Sequence, residues 1–331
     1  MIIKENNFFI FDRPVSINLK YYIKRLLLPF YDFFYSSILC LHKNKNIKKR
    51  YAVSICAIFK DEAHNFNEWI EFHKIVGVEH FYLYNNFSSD NFLEVLKPYI
   101  KAGLVTLTDW PFVKGQMKAY EHCFENHKND SKWISFLDLD EFIVAVKTES
   151  LHTWLQKFEC FPCVLVYWKM FGTSGLIEGS KEKLTIEQYT VSWEKLVNIG
   201  KVFWNTKYSI SDYSSMHIIP ASYSFFGKKI VIPPVNQFKK FVKWDIHRHG
   251  NFRDNNIDIQ INHYWSKSFN DTKFKKFVRG DAFFGESAPT RNLESFMYHE
   301  YKNISSDYKI FKYLIALKIA LGLTGELKRD E

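Results

Sequence analysis

No glycine-rich dinucleotide fingerprint and no phosphate-cradling lysine loop occur in the 331 residues, which removes the two commonest loop-based ways of holding a nucleotide. No internal repeat is present, so the chain is not an array. Cysteine is scarce: five residues, an odd number, with no cleavable signal peptide at the polar N-terminus, as expected of a chain kept in a reducing cytoplasm. Cys160-Phe-Pro-Cys163 has the spacing of a redox or zinc half-site. It has no second pair, and the adjoining Val164-Leu-Val-Tyr-Trp168 reads as a buried strand, so ordinary core cysteines are expected and no disulfide is. Long apolar runs are missing as well. The stretch from Leu26 to Leu41 is interrupted by Pro29 and Asp32 and falls short of the ~20 residues that span a bilayer. Backed by Lys43, Lys45, Lys48, Lys49 and Arg50, it reads either as an interfacial membrane segment or as a segment packed on the domain. The net charge of +9 is gathered in that run, in Lys228-Lys229, in Lys239-Lys240 and in Lys273 to Lys276. No nucleic-acid-binding motif accompanies these clusters, so an anionic membrane or an acidic substrate is expected and nucleic acid is not.

What the chain does have is core material, 47% hydrophobic and 18% aromatic residues, enough for one large or two modest domains. From residue 51 the pattern alternates as a βαβ half-sheet. Strands are expected at Tyr51 to Phe59, His80 to Tyr84, Leu104 to Thr108 and over the segment ending in Asp138. Helices are expected over Glu62 to Val76, Phe92 to Ile100 and Gly115 to Asn126, and a further helix over Tyr308 to Leu323. In open α/β sheets ligands sit beyond the carboxyl ends of the strands. The residues there are Lys60-Asp61-Glu62, Asn85-Asn86, Asp109-Trp110-Pro111 and Asp138-Leu139-Asp140, four polar clusters on one rim.

Trp133-Ile-Ser-Phe-Leu-Asp138-Leu-Asp140-Glu141-Phe142 is the most informative stretch. Read as a strand, it points Asp138 and Asp140 the same way while Leu139 enters the core. Two carboxylates suit a Mg²⁺ or Mn²⁺ whose shell is completed by water and substrate phosphate. An acidic turn closing a core strand would use the same residues.

The chain resembles glycosyltransferase family 92, a group of GT-A enzymes, and their bacterial relatives in lipopolysaccharide and capsule synthesis. The resemblance runs through Lys60-Asp-Glu, Glu68 to His73, Gly77 to Tyr84, Asn86 to Asp90, Val95 to Pro98 and Gly103 to Leu107. It continues through Ser131-Lys-Trp, Asp138 to Phe142, Trp168 to Gly175, Ile261 to Lys267 and Arg279-Gly280, covering roughly residues 51 to 280 in order. The chain departs at Asn85, where the family commonly has Asp, and over about residues 220 to 257. The resemblance implies a GT-A α/β fold, a mixed central sheet flanked by helices. Its expected divisions are a terminal extension over 1–50, a catalytic domain over 51–290 with a nucleotide-sugar half (51–145) and an acceptor half (146–290), and C-terminal helices over 291–331.

It also implies a metal-dependent, inverting transfer from a nucleotide-diphosphate sugar, a UDP-sugar above all, to a glycan or glycolipid acceptor. Lys60, Asp61, Glu62 and Asn85 would meet the base and ribose, and Mn²⁺ or Mg²⁺ on Asp138 and Asp140 would meet the diphosphate. His263 would complete the metal shell, although a satisfied core histidine is its plainer role. Lys267 and Arg279, placed on a downstream helix, would face phosphate or else solvent. The catalytic base is not fixed by spacing; Asp212, Asp245, Asp281 and Glu286 are candidates that lie in the acceptor half, and Asp245, among aromatic and basic residues, is the one chosen. A location in the cytoplasm, at the inner face of the membrane when bound to it, follows from the same reading. Two other classes use the same features: a noncatalytic glycan-binding or membrane-scaffolding protein, against which the retention of both Asp138 and Asp140 speaks, and a sugar nucleotidyltransferase, which would release pyrophosphate.

Overall fold

The computed structural model describes residues 1–41, 48–148, 150–211, 213, 221–225, 228–249, 257–275 and 292–324. The chain opens with a hairpin of β1 (Ile2–Glu5) and β2 (Phe9–Ser16), then a long helix, α1 (Leu19–Leu41). The alternating half follows: β3 (Tyr51–Phe59), α2 (Phe66–Val76), β4 (His80–Asn85), α3 (Phe92–Lys101), β5 (Val105–Asp109), α4 (Gln116–His127) and β6 (Ser131–Phe136). The next stretch holds β7 (Glu141–Ala145), α5 (Leu151–Gln156), β8 (Cys163–Met170), α6 (Thr185–Gln188), β9 (Val191–Trp193), β10 (Leu196–Val197), β11 (Gly200–Asn205) and β12 (Ser209–Ile210). Then come β13 (Ala221–Phe225), β14 (Lys228–Ile232), β15 (Val235–Asn236), β16 (Ile259–His263), α7 (Phe269–Thr272), α8 (Leu293–Glu300), β17 (Asn303–Ser306) and α9 (Leu314–Ala320).

The central sheet runs β5-β4-β3-β6-β11-β8-β16-β7, with β15 attached to β8. β3, β4, β5 and β6 are mutually parallel, and β11 is antiparallel to both β6 and β8. β3 reads Tyr-Ala-Val-Ser-Ile-Cys-Ala-Ile-Phe because a central parallel strand is covered on both faces and has no use for alternation. Helices flank the sheet, and α2 carries Phe66, Trp69, Ile70, Phe72, His73 and Val76 into the core. It stops at Gly77, whose φ of 109° lets its N–H reach back to the carbonyls of His73 and Lys74, a conformation side chains resist. The mixed sheet, parallel over β3 to β6 and flanked by helices, is the arrangement expected of a GT-A fold.

Several expectations shift. The strand before the acidic residues ends at Phe136, so Asp138 and Asp140 stand in a turn; Leu139 is still buried. The start of the helix expected from Glu62 is a short 3₁₀ turn at Ala63–Asn65. The Tyr308 to Leu323 helix is divided into a 3₁₀ turn at Lys309–Tyr313 and α9. Residues 1–41 are more than an extension: Phe8, Phe9 and Ile10 are buried, and β2 pairs with β10. Cys163 is buried in β8 as expected, whereas Cys160 is exposed; both are free thiols.

Candidate functional site

Phe59, Asn85 and Asp109 end three strands in register, which makes a level rim. The loops beyond it are latched together. Ser89 donates from both its backbone N–H and its hydroxyl to Asp61 Oδ1, at 2.7 and 3.2 Å, and the Ala63 N–H donates to Asp90 at 2.8 Å. Asn85 donates to Asp109 at 2.9 Å and accepts from the Ser88 N–H at 3.0 Å, so its amide braces the rim. Asp61 itself has φ 50°, a strained conformation held by these loop contacts.

The acidic turn stands on the same rim because β6 stops early. Phe136 pairs with Cys56, the Leu137 N–H donates to the Cys56 carbonyl at 3.0 Å, and the chain then leaves the sheet beside the last residues of β3. The turn is closed by Glu141, whose N–H donates to the Asp138 carbonyl at 3.1 Å while its Oε2 accepts from the Asp138 N–H at 3.0 Å. Trp69 of α2 donates its indole N–H to the Glu141 carbonyl at 2.9 Å, and the Tyr264 N–H donates to the Asp140 carbonyl at 2.8 Å. His263 arrives by register: it ends β16 opposite Glu141 of β7, and its Nε2 lies 3.7 Å from Asp140 Oδ1, with its ring against Trp168.

Three ammonium groups face these acids. Lys201, fully buried on β11, sits 2.8 Å from Asp138 Oδ2 and 3.4 Å from Glu141 Oε2. Lys275 sits 2.8 Å from Asp140 Oδ2 and 3.2 Å from Glu62 Oε1. Lys267 donates to Asn65 Oδ1 at 2.6 Å from a loop position with φ 50°, not from the helix expected there. Gln116 and Tyr120, one turn apart on α4, reach the other oxygen of Asp138 at 3.3 and 3.5 Å. β11 can lie this close to β8 because its first residue is Gly200, where a Cβ would run into the Val166 carbonyl.

One buried ammonium between two carboxylates forces a division of charge. Burial raises the Asp138 carboxyl, but the Lys201 charge and hydrogen bond more than offset this, and it is held below the usual carboxylate range. Glu141, with no exposed side-chain surface, is pushed well above that range by burial, reinforced by the charges of Asp138 and Asp140. Burial also works against the Lys201 ammonium, yet Asp138 and Glu141 outweigh it and raise its pKa. Lys267 is lowered mainly by burial, with Glu62 opposing. The two carboxyls are thus pushed in opposite directions, Asp138 towards its ionised form and Glu141 towards its protonated form. Because the folded pKa of Glu141 lies above its unfolded value of about 4.3, folded protein holds the extra proton and stability falls as pH rises from there towards the folded value. Glu141→Gln, which mimics the protonated acid, is expected to match wild type in mild acid, to flatten that slope and therefore to gain on wild type as pH rises. Thermal melts across pH check it; a loss as large as that caused by removing Lys201 would mean that Glu141 is ionised.

Lys60, Asp61, Glu62, Asn85, Asp138, Asp140, His263 and Lys267 are thus brought to one rim. Asp245 is not. Its segment joins the sheet where Val235 and Asn236 pair with Val164 and Leu165, at the start of β8, whereas His263 pairs with Met170 at its end, on the order of 20 Å of strand away. Asp245 is exposed in a turn whose Trp244 packs on Tyr31 of α1. Arg279, Asp212, Asp281 and Glu286 lie outside the described residues. Sequence reasoning missed Lys201, Glu141 and Lys275 as site residues. Lys201 did leave a signal, a lone charge in the otherwise uncharged run Gly-Lys-Val-Phe-Trp-Asn, since a buried lysine needs an acid.

With that geometry in hand, comparison with known proteins is decisive for the family. The profile of glycosyltransferase family 92 matches residues 49–309, more than half of the chain. The chain belongs to glycosyltransferase family 92. Its relatives include a family 92 protein of Oryza sativa subsp. japonica, 28% identical over 142 residues, 42% of this chain and 24% of the relative. One of Arabidopsis thaliana is 30% identical over 101 residues, 30% of this chain and 18% of the relative. This family 92 chain therefore spans about a quarter or less of the length of these relatives. Among solved structures, S. aureus TarS in complex with UDP is similar over 47% of each chain, at 12% identity and a TM-score of 0.33.

Proposed function

We propose that this glycosyltransferase moves a sugar from a UDP-sugar to a hydroxyl of a surface glycan such as lipopolysaccharide or capsule, with inversion and with the help of Mn²⁺ or Mg²⁺. The observation that carries the reading is the gathering of Glu62, Asp138, Asp140 and His263 with Lys267 and Lys275 on the carboxyl rim of the parallel half-sheet. The donor set, hard carboxylate oxygens with one imidazole, has the chemistry that Mn²⁺ and Mg²⁺ accept. Among the described residues no three such side chains already stand as a ligand cluster, because ammonium groups compensate the acids. Binding of the ion at Asp140, Asp138 and His263 would therefore require Lys275 to turn away from Asp140. Once bound, the ion would stabilise negative charge on the departing diphosphate.

The chain's own residues have separate tasks. Lys201 holds Asp138 ionised and Glu141 keeps the turn closed, so the carboxylates stay aimed without moving during turnover. Lys267, and Lys275 when released, supply positive charge for phosphate oxygens, with Arg279 as a further candidate. The braced loops carrying Lys60, Asp61 and Asn85 would form the wall for base and ribose. UDP with Mn²⁺ at about a hundred times its Kd is expected to stabilise the fold by about 2.7 kcal/mol, read as a rise in melting temperature that EDTA removes. An equal rise in EDTA would refute metal-held diphosphate. A response to GDP alone would replace the donor, and release of pyrophosphate in place of UDP would make the enzyme a nucleotidyltransferase.

A further inference from the structure

Helix α1 is amphipathic in the sense opposite to the one a core helix needs. Leu28, Tyr35, Ile38 and Leu39 face the domain and are buried. At 3.6 residues per turn, Leu19, Ile23, Leu26, Phe30, Phe33 and Leu41 lie along the opposite side, and they are 49% to 76% exposed. Contacts on the packed side fix this orientation. Arg248 holds Asp32 through two hydrogen bonds of 2.8 and 2.6 Å, Lys243 donates to the Tyr35 hydroxyl at 2.9 Å, and Tyr31 packs edge-on against Trp244 at 4.9 Å. The helix cannot roll to hide its outer face without breaking all three.

We propose that this face lies in the interface of an anionic membrane, with α1 parallel to the bilayer plane. No helix among the described residues is long and apolar enough to cross a membrane, so the proposal is for a surface-lying helix. Charge selects lipid over a second copy of the chain. Lys20 and Arg25 are exposed on either flank of the stripe, and the only acid of the helix, Asp32, is taken by Arg248. Two such faces brought together would oppose like charges. Anionic headgroups would complement them, at about 1 kcal/mol per basic residue near the surface. Shape agrees: with Tyr22, Leu27 and Phe34 also exposed, the apolar face spans well over 100° of the helix, wider than the seam through which two helices pair. The basic run behind the helix contributes less than its composition suggests. Lys49 is occupied by the Lys128 carbonyl at 2.6 Å, and Lys43 and Lys45 lie outside the described residues.

The face is remote from the chemistry: α1 packs on the segment at the start of β8, so the docking can be tested without a substrate. The full chain should co-sediment with phosphatidylcholine vesicles containing phosphatidylglycerol at low salt and be partly released at about 1 M NaCl, where screening is short-ranged. The triple variant Leu26→Glu, Phe30→Glu, Phe33→Glu should bind these vesicles at least about a hundredfold more weakly, from the loss of buried apolar area, with its melting temperature unchanged because the three side chains are exposed. Its UDP release on a soluble acceptor should match the wild type, which separates this proposal from the one on donor chemistry. Wild type that ignores anionic vesicles, or a triple variant that binds them as well as wild type, overturns the proposal. So does a wild-type dimer that the triple variant dissociates, which would assign the face to a second copy. Equal binding to neutral and anionic vesicles, insensitive to salt, would overturn the role given to Lys20 and Arg25.

Discussion

Asp140→Asn is expected to lower sugar transfer by at least about a thousandfold, the upper end of what one preorganised electrostatic contact contributes, while shifting the melting temperature by only a few degrees. The side chain is nearly buried between His263 and Lys275, and Asn retains its shape and its ability to accept from Lys275. What disappears is the charge. Asp138→Asn should match it in activity and differ in stability, because it also leaves the fully buried Lys201 with Glu141, whose charged form burial disfavours, as its remaining acid. Activity is read as UDP released with an acceptor present, and stability as the melt. If Asp140→Asn keeps transfer within about tenfold of wild type and does so in EDTA, the acidic turn is structural and the metal proposal fails. If both variants melt alike, Lys201 is not the partner that fixes Asp138.

The parts of this site that could be read from the chain are those that follow from short-range pattern. Strand and helix periodicity put β3, β4, β5, α3 and α4 within a residue of their limits, while α2 begins four residues later and β6 ends two residues earlier than expected; the rule that ligands sit at strand carboxyl ends gathered Lys60, Asp61, Glu62, Asn85 and Asp138 on one rim. Register was not legible. Whether Asp138 sits in the strand or past it depends on β6 pairing with β3 only as far as Phe136, which is a long-range fact. Asp245 looked suitable by its neighbours Trp244 and His247, but those aromatics serve α1 and the core around Tyr167. Its distance from the acidic turn is set by which end of β8 receives β15. His263 is the converse case: nothing local distinguished a ligand from a core histidine, and the pairing of β16 with β7 brings it beside Asp140. Of the two readings offered for the Leu26 to Leu41 stretch, packing on the domain describes one side of the helix; the other side is exposed.

Lys201→Met is expected to be the most destabilising single change at the site, by about 3–5 kcal/mol. The aliphatic stem is replaced at nearly equal volume, so no cavity explains the loss. Its cause is Asp138, left with its remaining oxygen contacts to Gln116 and Tyr120 and no cation, beside Glu141 and Asp140. The pH dependence identifies this cause. In the wild type the depressed Asp138 pKa gives stability that is present above its unfolded value of about 3.9 and lost as pH falls through the folded value. In Lys201→Met the cation that depressed it is gone, burial and Asp140 then raise the carboxyl, and that contribution changes sign. The variant should therefore be closest to wild type in mild acid and furthest from it at neutral pH. Adding Asp138→Asn should recover part of the loss at neutral pH, since it removes the stranded charge, and should leave the pH profile nearly flat in that range. A deficit that is the same at every pH, and that Asp138→Asn deepens, would mean that Lys201 acts by packing, and the ion pair would lose its place as the element that holds the acidic turn in its charged form.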